Sequence, residues 1–153
     1  MKKALIIIMC GVVLAGGVYL MRTPHAQVIP QGSYKTKEVV LGNTRYVLDI
    51  ADTAPLREQG LSYRTSLAPQ TGMLFVFNSP GVLKFWMKDM NFPLDIIWLD
   101  ADKKIVHIEY GLSPSTYPRS FGPEIPTQYV IELRSGDVER NGVRIGDKIN
   151  FDL

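Results

Sequence analysis

Four side chains capable of chemistry fall close together in the stretch FWMKDMNFPLD: Trp86, Lys88, Asp89 and Asp95. Two carboxylates among Trp86, Phe92 and Trp98 suggest hydrolysis of a glycoside, because apolar surroundings can hold one carboxyl protonated while the other stays ionised. The structural alternative has Asp95 accepting from backbone amides and Asp89 paired with Lys88 or an arginine. A non-catalytic reading uses the same residues differently. An aromatic patch of Trp86, Phe92 and Tyr117, with Lys88, Asp89, Asp95 and Arg64 as polar fixtures, suits a small polar ligand such as a saccharide, or a segment of a partner protein. Met73, Met87 and Met90 beside Trp86 add a third possibility, a soft site for cuprous ion. Against it, methionines commonly fill gaps in an aromatic core.

Other chemistries lack residues. The chain has one cysteine, Cys10, and two histidines, His25 and His107, so thiolate or imidazole metal ligation has almost nothing to draw on. His107 would have to serve any Ser-His-Asp arrangement, yet no Gly-x-Ser-x-Gly elbow occurs. On a strand between Val106 and Ile108 it reads as a surface or hydrogen-bonded histidine. No cofactor and no metal site is expected, and the preferred reading is a binding or accessory domain, not an enzyme.

Charge removes another class. The formal net charge is +2, but Lys2, Lys3 and Arg22 all precede position 27 and leave 14 basic against 15 acidic side chains. A domain so balanced offers no footprint for nucleic acid. The first 26 residues place Lys2 and Lys3 ahead of a 17-residue apolar run, Ala4 to Leu20. That length lies at the lower edge of a membrane span and slightly above a signal-peptide core. Either reading exports the chain, because the lysines hold the N-terminus inside. We therefore expect an extracytoplasmic protein, periplasmic or at the cell surface, either secreted or anchored through residues 4–20. Residues 27–36 then read as a linker and 37–153 as one domain of ordinary size.

The elements that must position the polar cluster are mostly strands. Lys37 to Leu41 and Thr44 to Ile50 flank Gly42-Asn43, a two-residue hairpin turn, with Tyr46, Leu48 and Ile50 on one face. Thr53 and Pro55 open a short helix that Gly60 closes, and Arg57, Glu58 and Arg64 read as solvated charges. Met73 to Phe77 is apolar without alternation, as in a strand covered on both faces. Val82 to Met87 is expected to pair with it as a hairpin, and Leu94 to Leu99 to form another strand. Lys104 to Tyr110 follows, with Lys104, Val106, Ile108 and Tyr110 on one face. The stretch 111–126 holds Pro114, Pro118, Pro123 and Pro126 and reads as a stiff loop, either a binding element or lid or a plain cover for an exposed sheet edge. Gln128 to Leu133 is a strand on which Glu132 reads as a solvated charge with Arg134, and Val143 to Leu153 the last β segment.

The ordered motifs REQGLSYR (57–64), GMLFVF (72–77), FWMKDMNFPLDIIWLD (85–100), YVIEL (129–133) and GVRIGD (142–147) resemble the DUF192 (UPF0127) family over roughly Val39 to Ile149. The resemblance implies a mainly β, α+β fold with short helices, a compact and partly open β-barrel-like single domain. It implies no reaction. Two positions depart from the family pattern: Ser62 where a methionine usually follows GL, and Asp89 where an asparagine is usual. The second places a negative charge in the central cluster.

Overall fold

The computed structural model describes residues 28–153; the leader read at 1–26, with Cys10, His25 and the apolar run 4–20, lies outside the described residues. The fold is mainly β with two short helices. β1 (Thr36–Leu41) and β2 (Thr44–Ala51) form the antiparallel hairpin expected around Gly42-Asn43. Gly42 has φ +58°, and a Cβ there would come within 1.9 Å of the Asn141 carbonyl oxygen, so both the turn and its neighbour require glycine. From β2 the chain passes through α1 (Ala54–Gln59) into β3 (Thr71–Gly81), which pairs with β2 in parallel. Thr53 occupies the N-cap position of α1 without a side-chain capping bond, and Gly60 ends the helix at φ +53°.

β3 pairs antiparallel with β8 (Thr127–Arg134), β8 with β5 (Leu94–Leu99), and β5 with β6 (Ile105–Leu112). The six-stranded order is β1-β2-β3-β8-β5-β6, and β1 and β6 are not joined. The mainly β expectation holds, and the sheet is open, not closed into a barrel. The segment 143–153, expected to be a strand, makes a single bridge between Lys104 and Lys148. Three backbone bonds tie it to residues 103–105 at the start of β6, and its apolar side chains Val143, Ile149 and Phe151 go into the core.

Both faces of the sheet are covered. Tyr46, Leu48, Leu74, Ile97, Ile131 and Leu133 pack on the first face with Val138 of α2 (Asp137–Arg140). Met73, Phe75, Ile96, Trp98 and Val130 pack on the second with Leu61, Met87 and Phe121. Burial on two sides explains why β3 and β5 read as continuous apolar runs, and all six residues of β5 are buried. Val82 to Met87 does not pair with β3, because β2 and β8 already occupy both edges of that strand. Only β4 (Phe85–Trp86) is extended, paired with β7 (Ser120–Phe121) inside the proline-rich segment.

The alternation expected on β6 is also interrupted. Trp98 stands opposite His107 and Leu99 opposite Ile105, so Val106 is an extra residue in the ladder. The bulge lets Ile105 and Ile108 both reach the first face while Val106 packs against the second. The start of the described chain is not a free linker. Ile29 exchanges two hydrogen bonds with the Gln59 side chain, at 2.5 and 2.8 Å, and Tyr34 is buried.

Candidate functional site

A cleft lies on the second face, and its floor is a residue that sequence reasoning placed in solvent. Glu132 stands on β8 with Met73 of β3 and Ile96 of β5 as its cross-strand partners. Covered strands leave no solvated side for it, so the residue is only 5 % exposed and its Oε2 has no hydrogen-bond partner among the described residues. Burial pushes the carboxyl up to about 8, against a smaller opposing pull from the Arg64 guanidinium. It is held protonated at neutral pH, able to donate a hydrogen bond. The signal was present in YVIEL: one charge inside an apolar run resembling the doubly covered Met73 to Phe77.

Above this floor the walls come from α1 with its following turn, and from β4 with its following turn. Phe85 anchors β4 by edge-on contacts with Phe75 at 4.8 Å and Trp98 at 5.9 Å between ring centres. Trp98 Nε1 donates to the Leu83 carbonyl at 3.0 Å, fixing the approach to that strand. Trp86, next along the strand, therefore turns outward and is 53 % exposed. Its ring meets Tyr117 at 5.8 Å, with Lys88 Nζ 5.9 Å from its centre. The proline-rich segment thus supports the aromatic wall through Tyr117 and through β7.

The space divides into an inner cavity of about 250 Å³, reaching Glu132, and an outer one of about 450 Å³. Both are lined by Glu58, Gln59, Ser62, Trp86 and Lys88. Asp89 and Tyr63 line the outer cavity, with Val28 and Ile29 on another side. Arg57 lines the inner one, and its Nη1 donates to the carbonyls of Asp52 at 2.7 Å and Val76 at 2.8 Å, two residues outside that lining. It is therefore not the merely solvated charge that the sequence suggested.

Of the six residues singled out from the sequence, Trp86, Lys88 and Asp89 line this cleft, and Tyr117 stands outside the lining against Trp86. Arg64 and Asp95 do not belong to its lining. Arg64 is an internal ion-pair partner of Asp49 at 2.7 Å, with side chains 8 % and 17 % exposed, and its guanidinium lies 5.2 Å over the Tyr34 ring. Asp95 is buried on β5 and accepts from the amides of Gly111 at 2.9 Å and Val138 at 3.1 Å. That is the structural alternative for Asp95, and its carboxylate lies on the face covered by α2. Asp89 forms no ion pair with Lys88 or an arginine; it accepts from the Tyr63 hydroxyl at 2.8 Å. That bond holds the Tyr63 hydroxyl above its ordinary pKa, since the neutral phenol is the form that donates. Phe92 packs against the second-face core.

The remaining candidates take ordinary places. Met73 and Met87 are buried in the second-face core, while Met90 lines the inner cavity. No group of three or more His, Cys, Asp and Glu side chains could hold a metal among the described residues. His107 lies beside Trp98 and 3.1 Å from Glu109.

Residues 37–151 match the family model DUF192, described as uncharacterized ACR. The chain belongs to the DUF192 family. A solved structure from Sinorhizobium meliloti 1021, provisionally described as a transcription regulator, is similar at 32% identity and TM-score 0.72, covering 77% of this chain and 95% of that one. A protein of unknown function from Novosphingobium aromaticivorans DSM 12444 is similar at 30% identity and TM-score 0.73, covering 81% and 91%. No curated protein shows significant similarity to the chain. Two of the motifs that carry the DUF192 resemblance meet in space beside the cleft. Ser62 Oγ donates to the Lys88 carbonyl at 2.9 Å, the Tyr63 amide to the Asp89 carbonyl at 2.9 Å, and Asn91 Nδ2 to the Arg64 carbonyl at 2.9 Å. Tyr63 and Asp89 both adopt positive φ, 66° and 55°, to make this double turn. Both departures from the DUF192 pattern, Ser62 and Asp89, contribute side-chain bonds to that seam.

Proposed function

We propose that this DUF192 domain is a non-catalytic binding module of the cell envelope, taking a small polar ligand such as a saccharide in the cleft beside Trp86. The observation that carries the reading is an exposed indole standing beside a cavity whose floor holds an unpartnered carboxyl. An aromatic face suits the apolar side of a sugar ring, and convergent polar groups at the base of a pocket fix orientation. The seam between residues 62–64 and 88–91 preorganises the wall, which reduces the ordering cost of binding. Hydrolysis by Asp89 and Asp95 loses its support, because Asp95 is committed to two amides on the opposite face. The near balance of charge after residue 26 gives no reason to bring a regulator's DNA contact over from the Sinorhizobium meliloti relative.

The envelope setting rests on Lys2, Lys3 and the apolar run to Leu20. A C-terminal alkaline phosphatase fusion should be active; an inactive fusion beside an active cytoplasmic reporter at the same site would remove that part of the proposal. For the ligand, the full-length chain in mild detergent is titrated with a panel of neutral and charged saccharides by calorimetry. Binding by the parent and its loss of at least tenfold in Trp86→Ala is the expected result. Equal affinity in a folded Trp86→Ala protein, or no binding by the parent, would refute it.

A further inference from the structure

We infer that the ligand of this cleft is an acidic saccharide, its carboxylate held by Lys88 and Arg57 and its neighbouring oxygen met by the Glu132 carboxyl. The inference rests on the saccharide reading above and adds the charge of the ligand. Five charged or ionisable side chains line the inner cavity: Arg57, Glu58, Lys84, Lys88 and Glu132. Lys84 is already matched, to Glu124 at 2.6 Å and to the Gly122 carbonyl at 2.7 Å. Lys88 has no ion pair among the described residues, and its Nζ lies 5.9 Å from the centre of the Trp86 ring. Arg57 has carbonyls but no carboxylate as partners; both bonds use Nη1 and the guanidinium lies 4.9 Å over the Phe77 ring, so Nη2 and Nε have no hydrogen-bond partner among the described residues. Against these two cations stand Glu58, exposed and lining both cavities, Asp89 of the outer cavity, which accepts from the Tyr63 hydroxyl, and Glu132, which burial keeps neutral.

The inner cavity therefore carries a local excess of positive charge, with Asp89 confined to the outer one, and an anion is favoured there. An amine would meet the opposite field. Glu132 also links the site to protons. Protonated, its unpartnered oxygen can donate to the ligand; ionised, it would set a second negative charge beside the ligand's own. Arg64, itself paired with Asp49, is the charge that pulls on it; Arg57 and Glu58 on α1 and Lys84 and Lys88 on either side of β4 share its cavity, while its strand neighbours Met73 and Ile96 are apolar. Binding of an acidic ligand should therefore weaken as the pH rises through the range in which Glu132 ionises.

The test compares three sugars of one scaffold, glucose, glucuronate and glucosamine, against the full-length chain by calorimetry at mildly acidic and mildly alkaline pH. Glucuronate is expected to bind at least tenfold tighter than glucose at the lower pH, with most of that preference lost at the higher. Glu132→Gln should keep the preference across the range, because its amide donates without titrating, and Lys88→Met should abolish it. Equal binding of glucose and glucuronate, a preference for glucosamine, or an unchanged preference in Lys88→Met would each overturn the acidic-ligand inference while leaving a saccharide site in place. Failure of all three sugars to bind would overturn both.

Discussion

Asp95 and Glu132 lie on adjacent strands one step out of register, Asp95 opposite Leu133 and Ile96 opposite Glu132, and their carboxyl groups face opposite sides of the sheet. One residue of offset separates a structural carboxylate from a candidate ligand group. Asp95 stays near α2 with two amide donors, whereas Glu132 reaches the cleft with an oxygen unsatisfied. Two buried acids thus carry opposite consequences when altered.

Asp95→Ala strands the amides of Gly111 and Val138 in the interior. The loss should be about 2–4 kcal/mol, because bonds to a charged acceptor are worth more than neutral ones and the donors lose all compensation. Asp95→Asn keeps one acceptor oxygen and should lose roughly half as much. Urea unfolding of the two variants checks this, and a cost below about 1 kcal/mol for the alanine would contradict the role assigned to Asp95.

Glu132 makes stability depend on pH in a direction opposite to that of most carboxylates. In the native protein the group keeps its proton up to about 8, whereas the ordinary value is 4.5. Between those values the folded chain binds more protons than the unfolded one. The contribution is fully present below about 4.5, declines with rising pH, and is lost through about 8. Glu132→Gln has no such dependence. Its stability relative to the parent should therefore grow by on the order of 3 kcal/mol between mildly acidic and mildly alkaline solution, measured by denaturant melts at each pH. A parallel pair of pH profiles would show that Glu132 does not titrate as assigned.

Arg64 and Asp49 form the one ion pair in which both side chains are largely shielded among the described residues. Removing the guanidinium alone in Arg64→Met should cost about 3–5 kcal/mol, since it leaves a desolvated carboxylate. Arg64→Met combined with Asp49→Asn should recover much of that loss. The single variant should also shift the Glu132 titration upward, because Arg64 exerts the opposing pull on that group. Carboxyl NMR titration separates the effect from simple destabilisation.

The fold was legible where local chemistry decides it. Gly42-Asn43 announces its hairpin, and the unalternating runs at Met73 and Leu94 announce strands covered twice. What was hidden depends on distant partners. Val82 to Met87 carries the composition of a strand, but whether β3 has a free edge is decided by β2 and by β8, far along the chain. The site followed the same division. Trp86, Lys88 and Asp89 lie at the end of β4 and in the turn after it, and their proximity is visible in sequence. Tyr117 joins them through the short β4–β7 pairing. Arg64 and Glu132 were read as solvated because a charged residue on an isolated strand or helix defaults to water. Asp49 and the second covering layer reverse that default.

The cleft is built on two clocks. Its floor belongs to β8, bonded to β3 on one side and β5 on the other, so those amides exchange with solvent only through rare, nearly global opening. Its aromatic wall hangs on a two-stranded ribbon only two residues long, Phe85–Trp86 against Ser120–Phe121, which can open alone. An occupant touching both would couple the fast element to the slow one. Slowed deuterium uptake at residues 85–86 and 120–121 would then register occupancy before any ligand is chemically known.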